Sequence, residues 1–176
     1  MLISEWLQLD GWLVETGVPL DSKASGGRDE ADVIAVKKIE DILTVLHVEV
    51  GSINTNAETN LEIIKKKFSD EKKFAIQSYV QTRIGEKPEY KPRYIATFIN
   101  NKSLDLIREH NFTIDRLQDV IQDEILPSLK NWKYSIKGRK TSQLPTPPNN
   151  LWMIQLLDIM TFYEVDLKPF WKFKQK

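Results

Sequence analysis

Cysteine is absent from the 176-residue chain, so neither disulfide bonds nor thiolate metal sites can form. Histidine is scarce, and the two that occur, His47 and His110, are too widely separated for a zinc-ligand pattern. No stretch approaches the run of about 18 apolar residues that a membrane-spanning helix needs. These absences favour a protein of the reducing cytoplasm that has no membrane partner.

An excess of charge of either sign is also missing. The chain has 25 basic and 25 acidic side chains, so its formal net charge is zero. Overall charge therefore cannot attract nucleic acid, and contact with DNA would depend on local patches. Two segments, "KNWKYSIKGRK" and "WKFKQK", interleave basic and aromatic residues. That pattern suits phosphate and base contacts, but it is equally typical of an ordinary solvated loop.

The pattern of apolar residues predicts one α/β domain. Buried strands are indicated by the β-branched runs "ADVIAV", "LTVLHVEV" and "RYIATFIN", and the segment "WLVETGVPL" suits an edge position. Amphipathic helices are expected before and after these strands. We therefore predict a small mixed β-sheet flanked by helices, with a core at about residues 1–100 and a C-terminal helical part at about 101–176.

Several local expectations follow from turn and capping signals. The polar segment "DSKASGGRDE" predicts a loop and "KKIEDI" a turn. A helix is expected to open at Thr113 and to be limited or kinked by Pro127. The segment "LWMIQLLDIMTFYEV" is apolar over most of a helical circumference, which is typical of a central core helix or of a subunit interface in a homodimer.

Acidic side chains stand within two of the apolar strands. Because side chains alternate across a strand, Glu30 and Asp32 share one face, and so do His47 and Glu49. If the two strands are neighbours, Asp32 and Glu49 meet at one end of the sheet. Two half-buried carboxylates repel each other unless a positive charge lies between them, and a divalent cation would supply it. The simpler alternative is a pair of charged strand ends capped by loop amides.

These residues resemble the motif of the restriction-endonuclease-like PD-(D/E)xK nuclease superfamily, over roughly residues 1–68. The matching positions are Glu5 in the opening helix, Asp32 in "GGRDEADVIAV" and Glu49 in "HVEVGS". The resemblance implies a restriction-endonuclease-like core and a metal-dependent DNA phosphodiesterase. It further implies that Asp32 and Glu49 bind Mg²⁺ (or Mn²⁺) and that Glu5 assists them.

One motif position departs from the superfamily. There, a lysine two residues after the second acid orients the attacking water and supports the charged transition state, whereas this chain has Gly51. Glycine cannot supply that charge. A lysine of the following helix, Lys65 or Lys66 as the nearest candidates, could replace it. Alternatively, His47 could act as base or ligand, or the position stays unfilled.

Three functional hypotheses therefore remain open. The first is a metal-dependent DNA nuclease with Glu5, Asp32 and Glu49 as metal ligands, of reduced activity because of the missing lysine. The second is a catalytically inactive relative that binds DNA or protein. The third is an α/β interaction protein whose acids are only strand-end charges.

Overall fold

The computed structural model describes residues 2–23, 27–135 and 145–164. The strands are β1 (Leu13–Lys23), β2 (Gly27–Ile39), β3 (Ile42–Ser52), β4 (Glu89–Phe98) and β5 (Ile114–Arg116). The helices are α1 (Leu2–Leu9), α2 (Ala57–Lys67), α3 (Asp70–Ile84), α4 (Asn101–Glu109), α5 (Leu117–Val120), a π-helical turn (Ile121–Ile125), α6 (Leu126–Ser135) and α7 (Trp152–Phe162).

The five strands form one mixed sheet in the order β1-β2-β3-β4-β5. The first three form an antiparallel meander, and β4 and β5 then add in parallel. Parallel addition of β4 requires a crossover, which α2 and α3 provide. The predicted mixed sheet flanked by helices is confirmed, and β1 lies at the edge as its sequence indicated.

Strands β2 and β3 extend further than the apolar runs that predicted them. The ladder between them continues to the pair Ile39↔Ile42, so the turn is reduced to Glu40 and Asp41. Both turn residues have positive φ, 48° and 66°, as a two-residue type I′ hairpin requires. The predicted loop "DSKASGGRDE" is corrected in the same way, because residues 21–23 and 27–30 belong to strands, while 24–26 lie outside the described residues. These polar residues are held in strands by the backbone pairing of β1 with β2. A pattern of hydrophobic side chains cannot predict such pairing.

The segment predicted to open a helix at Thr113 instead begins with a short strand. Residues Ile114–Arg116 pair with Tyr94, Ile95 and Ala96 of β4, and the helix starts at Leu117. Ile114 is 1% exposed, so core packing and ladder hydrogen bonds override the helical pattern at this point. A π-helical turn ends directly before Leu126 and Pro127. Proline cannot donate the usual backbone hydrogen bond, and a widened turn is a common way to relieve its clash with the preceding turn.

Alternating side chains of the sheet build a core on each face. One face packs against α1, the α5–α6 segment and α7 through Val33, Ala35, Val48 and Ile95. The other face packs against α2, α3 and α4, with Ile34, Val36, Val45, Tyr94 and Ala96 as its sheet residues. The residues of the acidic motif lie in the central strands of this two-sided core.

Helix α7 is a core helix on one side only. Ile154 and Leu157 are buried in the core beside α1. Four of its other apolar side chains are exposed: Trp152, Leu156, Ile159 and Phe162. The core prediction is therefore confirmed for one stripe of the helix, and the homodimer stays a prediction. Among the described residues, no helix is long and apolar enough to cross a membrane.

Candidate functional site

Strands β2 and β3 part at Asp32. Their ladder ends at the pair Val33↔Val48, although both strands continue beyond it. Past that pair, the Asp32 Oδ2 atom accepts a hydrogen bond of 2.8 Å from the backbone N–H of Val50. Asp32 and Glu49 are the next residues beyond the last pair, Val33↔Val48, so the neighbouring strands bring the two predicted carboxylates to the same end of their ladder. A half-buried carboxylate thus occupies the fork between two strands.

The Glu49 carboxylate is fully buried, and both its oxygens have a side-chain partner. Oε1 accepts a hydrogen bond of 2.9 Å from His47 Nε2, and Oε2 accepts one from the Lys67 ammonium. Burial alone would raise the pKa of Glu49, but the hydrogen bonds from His47 and Lys67 outweigh it and lower the pKa below the usual 4.5. Glu49 is therefore held as an anion inside the protein.

His47 connects Glu49 to β4. Its ring is fully buried, and its Nδ1 atom lies 2.7 Å from the hydroxyl of Tyr90. A carboxylate can only accept, so Nε2 carries the proton towards Glu49, and in the neutral ring Nδ1 accepts from Tyr90. Burial and the charge of Glu49 raise the pKa of Tyr90, which keeps that hydroxyl protonated. The structure therefore places His47 as a side chain that fixes the orientation of Glu49.

The lysine that reaches the site is Lys67, rather than Lys65 or Lys66. Lys67 follows the fully buried Ile64 by three residues, so both lie on the helix face turned to the sheet. Lys66 is exposed, and the exposed Lys65 bonds to Glu62 at 2.8 Å. The lysine of the following helix that contacts Glu49 is therefore Lys67, and not Lys65 or Lys66, while a catalytic role for such a lysine stays a prediction. Helical periodicity did not single out Lys67, since Lys65 follows the buried Leu61 by four residues and borders the same apolar face of α2.

Lys67 bears its positive charge among several carboxylates. Its side chain is 35% exposed, and burial alone would lower its pKa. The hydrogen bond and charge of Glu49, followed by the charges of Asp32 and Asp29, instead raise the pKa above the usual 10.5. Asp29 itself bonds to Lys72 of α3 at 2.9 Å. Lys67 thus supplies a positive charge that contacts Glu49 and is influenced by the charge of Asp32.

Gly51 is fitted to the hydroxyl of Tyr94. A Cβ atom added at Gly51 would lie 2.7 Å from that hydroxyl oxygen, closer than real Cβ contacts allow. The backbone of Gly51 is ordinary strand, so the space and not the conformation selects glycine here. A lysine at position 51 would displace Tyr94, and the cation that contacts Glu49 comes from α2.

Glu5 lies on α1, against the sheet face opposite to His47 and Lys67. It is 6% exposed, and its Oε2 atom accepts hydrogen bonds from the backbone N–H groups of Met153 and Ile154, at 2.8 and 3.1 Å. These are orphan amides of the first turn of α7, and a carboxylate there is stabilised by the helix dipole. The partners of Glu5 thus give it a capping role, where the sequence predicted a metal ligand.

The side chains at the fork include oxygen atoms of the type that bind a hard cation such as Mg²⁺. Asp32 and Glu49 supply oxygen ligands, and Mg²⁺ is commonly bound by one or two carboxylates that leave places for water and phosphate. Within the described part of the chain, no group of three or more histidine or acidic side chains is arranged to hold a metal. A cation at Glu49 would share that carboxylate with Lys67, since both oxygens have partners.

The basic segment "KNWKYSIKGRK" is described only in part. Lys130, Trp132, Lys133 and Tyr134 belong to α6, and the Lys133 ammonium pairs with Asp158 of α7. Residues 136–140 and the segment "WKFKQK" lie outside the described residues. Lys133 is thereby neutralised within the fold.

Comparison with known proteins adds no relative. No protein-family model, no curated protein and no solved structure matches the chain. The chemistry of the site is therefore argued from its geometry.

Proposed function

We propose that the protein is a metal-dependent phosphodiesterase acting on DNA. In this proposal Asp32 and Glu49 hold Mg²⁺ (or Mn²⁺), and Lys67 supplies the charge that Gly51 cannot. The observation that carries the proposal is the Lys67–Glu49 pair, built by α2 against the strand fork at Asp32. The succession helix, three-stranded meander, crossover helix and parallel strand supports the same resemblance that the motif suggested.

The roles of the residues follow from their charge and geometry. A bound divalent cation would polarise the phosphodiester and make a water more acidic. Asp32, half-exposed at the fork, and Glu49, oriented by His47, would hold that cation. Lys67 keeps its proton because its pKa is raised, so it acts as a donor and a fixed positive charge, not as a base. The Lys67 ammonium has three N–H donors. One of them bonds to Glu49, and the other two would bond to a phosphate oxygen or to water.

A catalytically inactive DNA-binding or interaction module is the second candidate. The observation that favours it is the complete burial of Glu49, with both oxygens already bonded. Such a carboxylate is satisfied without a metal. The pair Lys67–Glu49 then stabilises the fold and has no further role.

Plasmid nicking and thermal unfolding in Mg²⁺ or Mn²⁺ separate the two candidates. The native chain is expected to nick supercoiled DNA and to melt at a higher temperature with metal, and Asp32→Asn to lose both effects. Asp41→Asn is the matched control, since Asp41 is exposed in the hairpin turn and asparagine accepts its positive φ. Metal-dependent melting without nicking would favour the second candidate. Nicking that persists in Asp32→Asn, or no response to metal, would contradict the proposal.

A further inference from the structure

The ring of Tyr94 is buried, but its hydroxyl is not among the buried polar atoms that lack a partner, so this oxygen reaches solvent. Tyr94 is 5% exposed, and within the described residues its hydroxyl forms no hydrogen bond. Tyr90, four residues earlier on the same face of β4, shows the contrast, because its hydroxyl bonds to His47. The Tyr94 hydroxyl is therefore open to a hydrogen-bond partner from outside the fold.

The position of this hydroxyl points to the site at the strand fork. Tyr94 pairs with Glu49 across β3 and β4, and its oxygen lies 2.7 Å from where a Cβ of Gly51 would be. The charges of Glu49 and Asp32 both act on it. The hydroxyl therefore occupies the space in which the side chain of a lysine at position 51 would begin.

The chemistry of the group makes it a hydrogen-bond donor. Burial, together with the charges of Glu49 and Asp32, raises the pKa of Tyr94 to about 12. The phenol is therefore protonated at neutral pH and cannot serve as a base. The charges of Glu49 and Asp32 act on both the Tyr94 hydroxyl and the Lys67 ammonium, so two donors share the surroundings of the two carboxylates. An oxygen-rich anion would be bound there if a cation joined it to those carboxylates.

We infer that the Tyr94 hydroxyl donates a hydrogen bond to a non-bridging oxygen of the substrate phosphate, beside Lys67, and that Gly51 keeps the space in which this contact forms. The inference rests on the proposed phosphodiesterase function and adds a substrate contact to it. It also explains why the motif lysine is absent: a side chain at position 51 and the Tyr94 hydroxyl exclude each other.

Tyr94→Phe tests the contact, because it removes one oxygen and leaves the ring in the core. Tyr163→Phe is the control, since Tyr163 is 71% exposed. Two properties are measured on the full chain: thermal unfolding in Mg²⁺ over a series of inorganic phosphate concentrations, and the rate of plasmid nicking. Tyr94→Phe is expected to weaken phosphate binding about tenfold or more and to slow nicking by a similar factor, as loss of a hydrogen bond to a charged group predicts. Tyr163→Phe is expected to match the native chain.

The two readouts distinguish failure of the contact from failure of the proposed function. If the native chain nicks DNA and Tyr94→Phe matches it in nicking and in phosphate binding, the contact is wrong and the function stands. If the native chain does not nick but binds phosphate in a manner that requires the Tyr94 hydroxyl, the function is wrong and the anion contact stands. If phosphate stabilises neither protein, the hydroxyl is not an anion contact and the inference is overturned.

Discussion

Glu5 and Glu49 are two buried glutamates of the same chain with opposite kinds of partner. Their exposures are 6% and 0%, and both lie within the hydrophobic core. Glu5 accepts from two backbone N–H groups at the start of α7. Glu49 accepts from the side chains of His47 and Lys67. Burial of a carboxylate is therefore a poor guide to function, and the nature of its partners is a better one.

The difference has a chemical consequence. Backbone amides are fixed in place and do not titrate, so the Glu5 carboxylate has a permanent partner that holds α1 against α7. The Lys67 ammonium ends a flexible chain, is 35% exposed and can move aside or turn its remaining donors towards a ligand. Under the proposed function Glu49 would exchange one partner for a cation, whereas Glu5 could not do so without uncapping a helix.

Replacing Lys67 should produce the largest effect. Lys67→Met is expected to slow plasmid nicking by about 10²–10³-fold, the usual cost of removing one electrostatic stabiliser of a transition state. Lys65→Met is the matched control, because Lys65 belongs to the same helix but is exposed and bonds to Glu62. Nicking rates are compared at equal folded fraction, checked by thermal unfolding. Equal loss in both variants would show that α2 contributes only general positive charge.

Replacing Glu5 should affect stability and spare the site. Glu5→Ala leaves two amides of α7 without their acceptor and is expected to cost about 2–3 kcal/mol of unfolding free energy. The nicking rate per folded molecule should be unchanged. Denaturant unfolding measures the cost, with Glu109→Ala as the exposed control. If Glu5→Ala instead removes the stabilisation by Mg²⁺, then Glu5 is a metal ligand and the contrast with Glu49 fails.

The two glutamates also show what the sequence could predict. Strand alternation correctly placed Asp32 and Glu49 together, because period-two patterning and neighbouring strands are local properties. The sequence alone, however, does not distinguish the kinds of partner that Glu5 and Glu49 have. The partner of Glu5 is 148 residues away, and no local signal announces a helix cap that comes from another helix.

The contact between a lysine of α2 and Glu49 was predictable in part. Helical spacing places Lys65, four residues after Leu61, and Lys67, three residues after Ile64, at opposite borders of the inward face, so periodicity alone does not choose between them. The relation between Gly51 and Tyr94 was beyond prediction, because it depends on the parallel register of β3 and β4 across two intervening helices. Strand β5 was missed for the same reason, since three residues gain strand structure only from their neighbour β4.

Gly51→Ala tests whether the space beside Glu49 is kept by the Tyr94 hydroxyl. In the native background the new Cβ would meet that oxygen at 2.7 Å, and we expect a loss of about 1–2 kcal/mol from overpacking. In the Tyr94→Phe background the nearest remaining side-chain atom is the ring carbon at 3.8 Å, an ordinary contact. Alanine should then be neutral or stabilising by about 0.5–1 kcal/mol, because it is less flexible than glycine in a strand. Both losses are measured by denaturant unfolding. An equal loss in the two backgrounds would show that the Tyr94 hydroxyl is not what excludes a side chain at position 51.

The smallest expected effect is a change of folding stability with pH. It arises because Glu49 and Lys67 have different pKa values in the folded and unfolded chain. The folded pKa of Glu49 is lowered below 4.5, so the stability it contributes is present above that pH and is lost as pH falls through the folded value. The folded pKa of Lys67 is raised above 10.5, so its contribution is present below that pH and is lost as pH rises through the folded value.

The stability difference between the native chain and Lys67→Met should therefore be constant between about pH 6 and 9 and become smaller below and above that range. Solvent screening of the partly exposed ammonium keeps the change modest. Unfolding free energies across pH, with Lys65→Met as the reference, measure it, and a difference that stays flat to both extremes would show that the Lys67–Glu49 pair contributes nothing to folding.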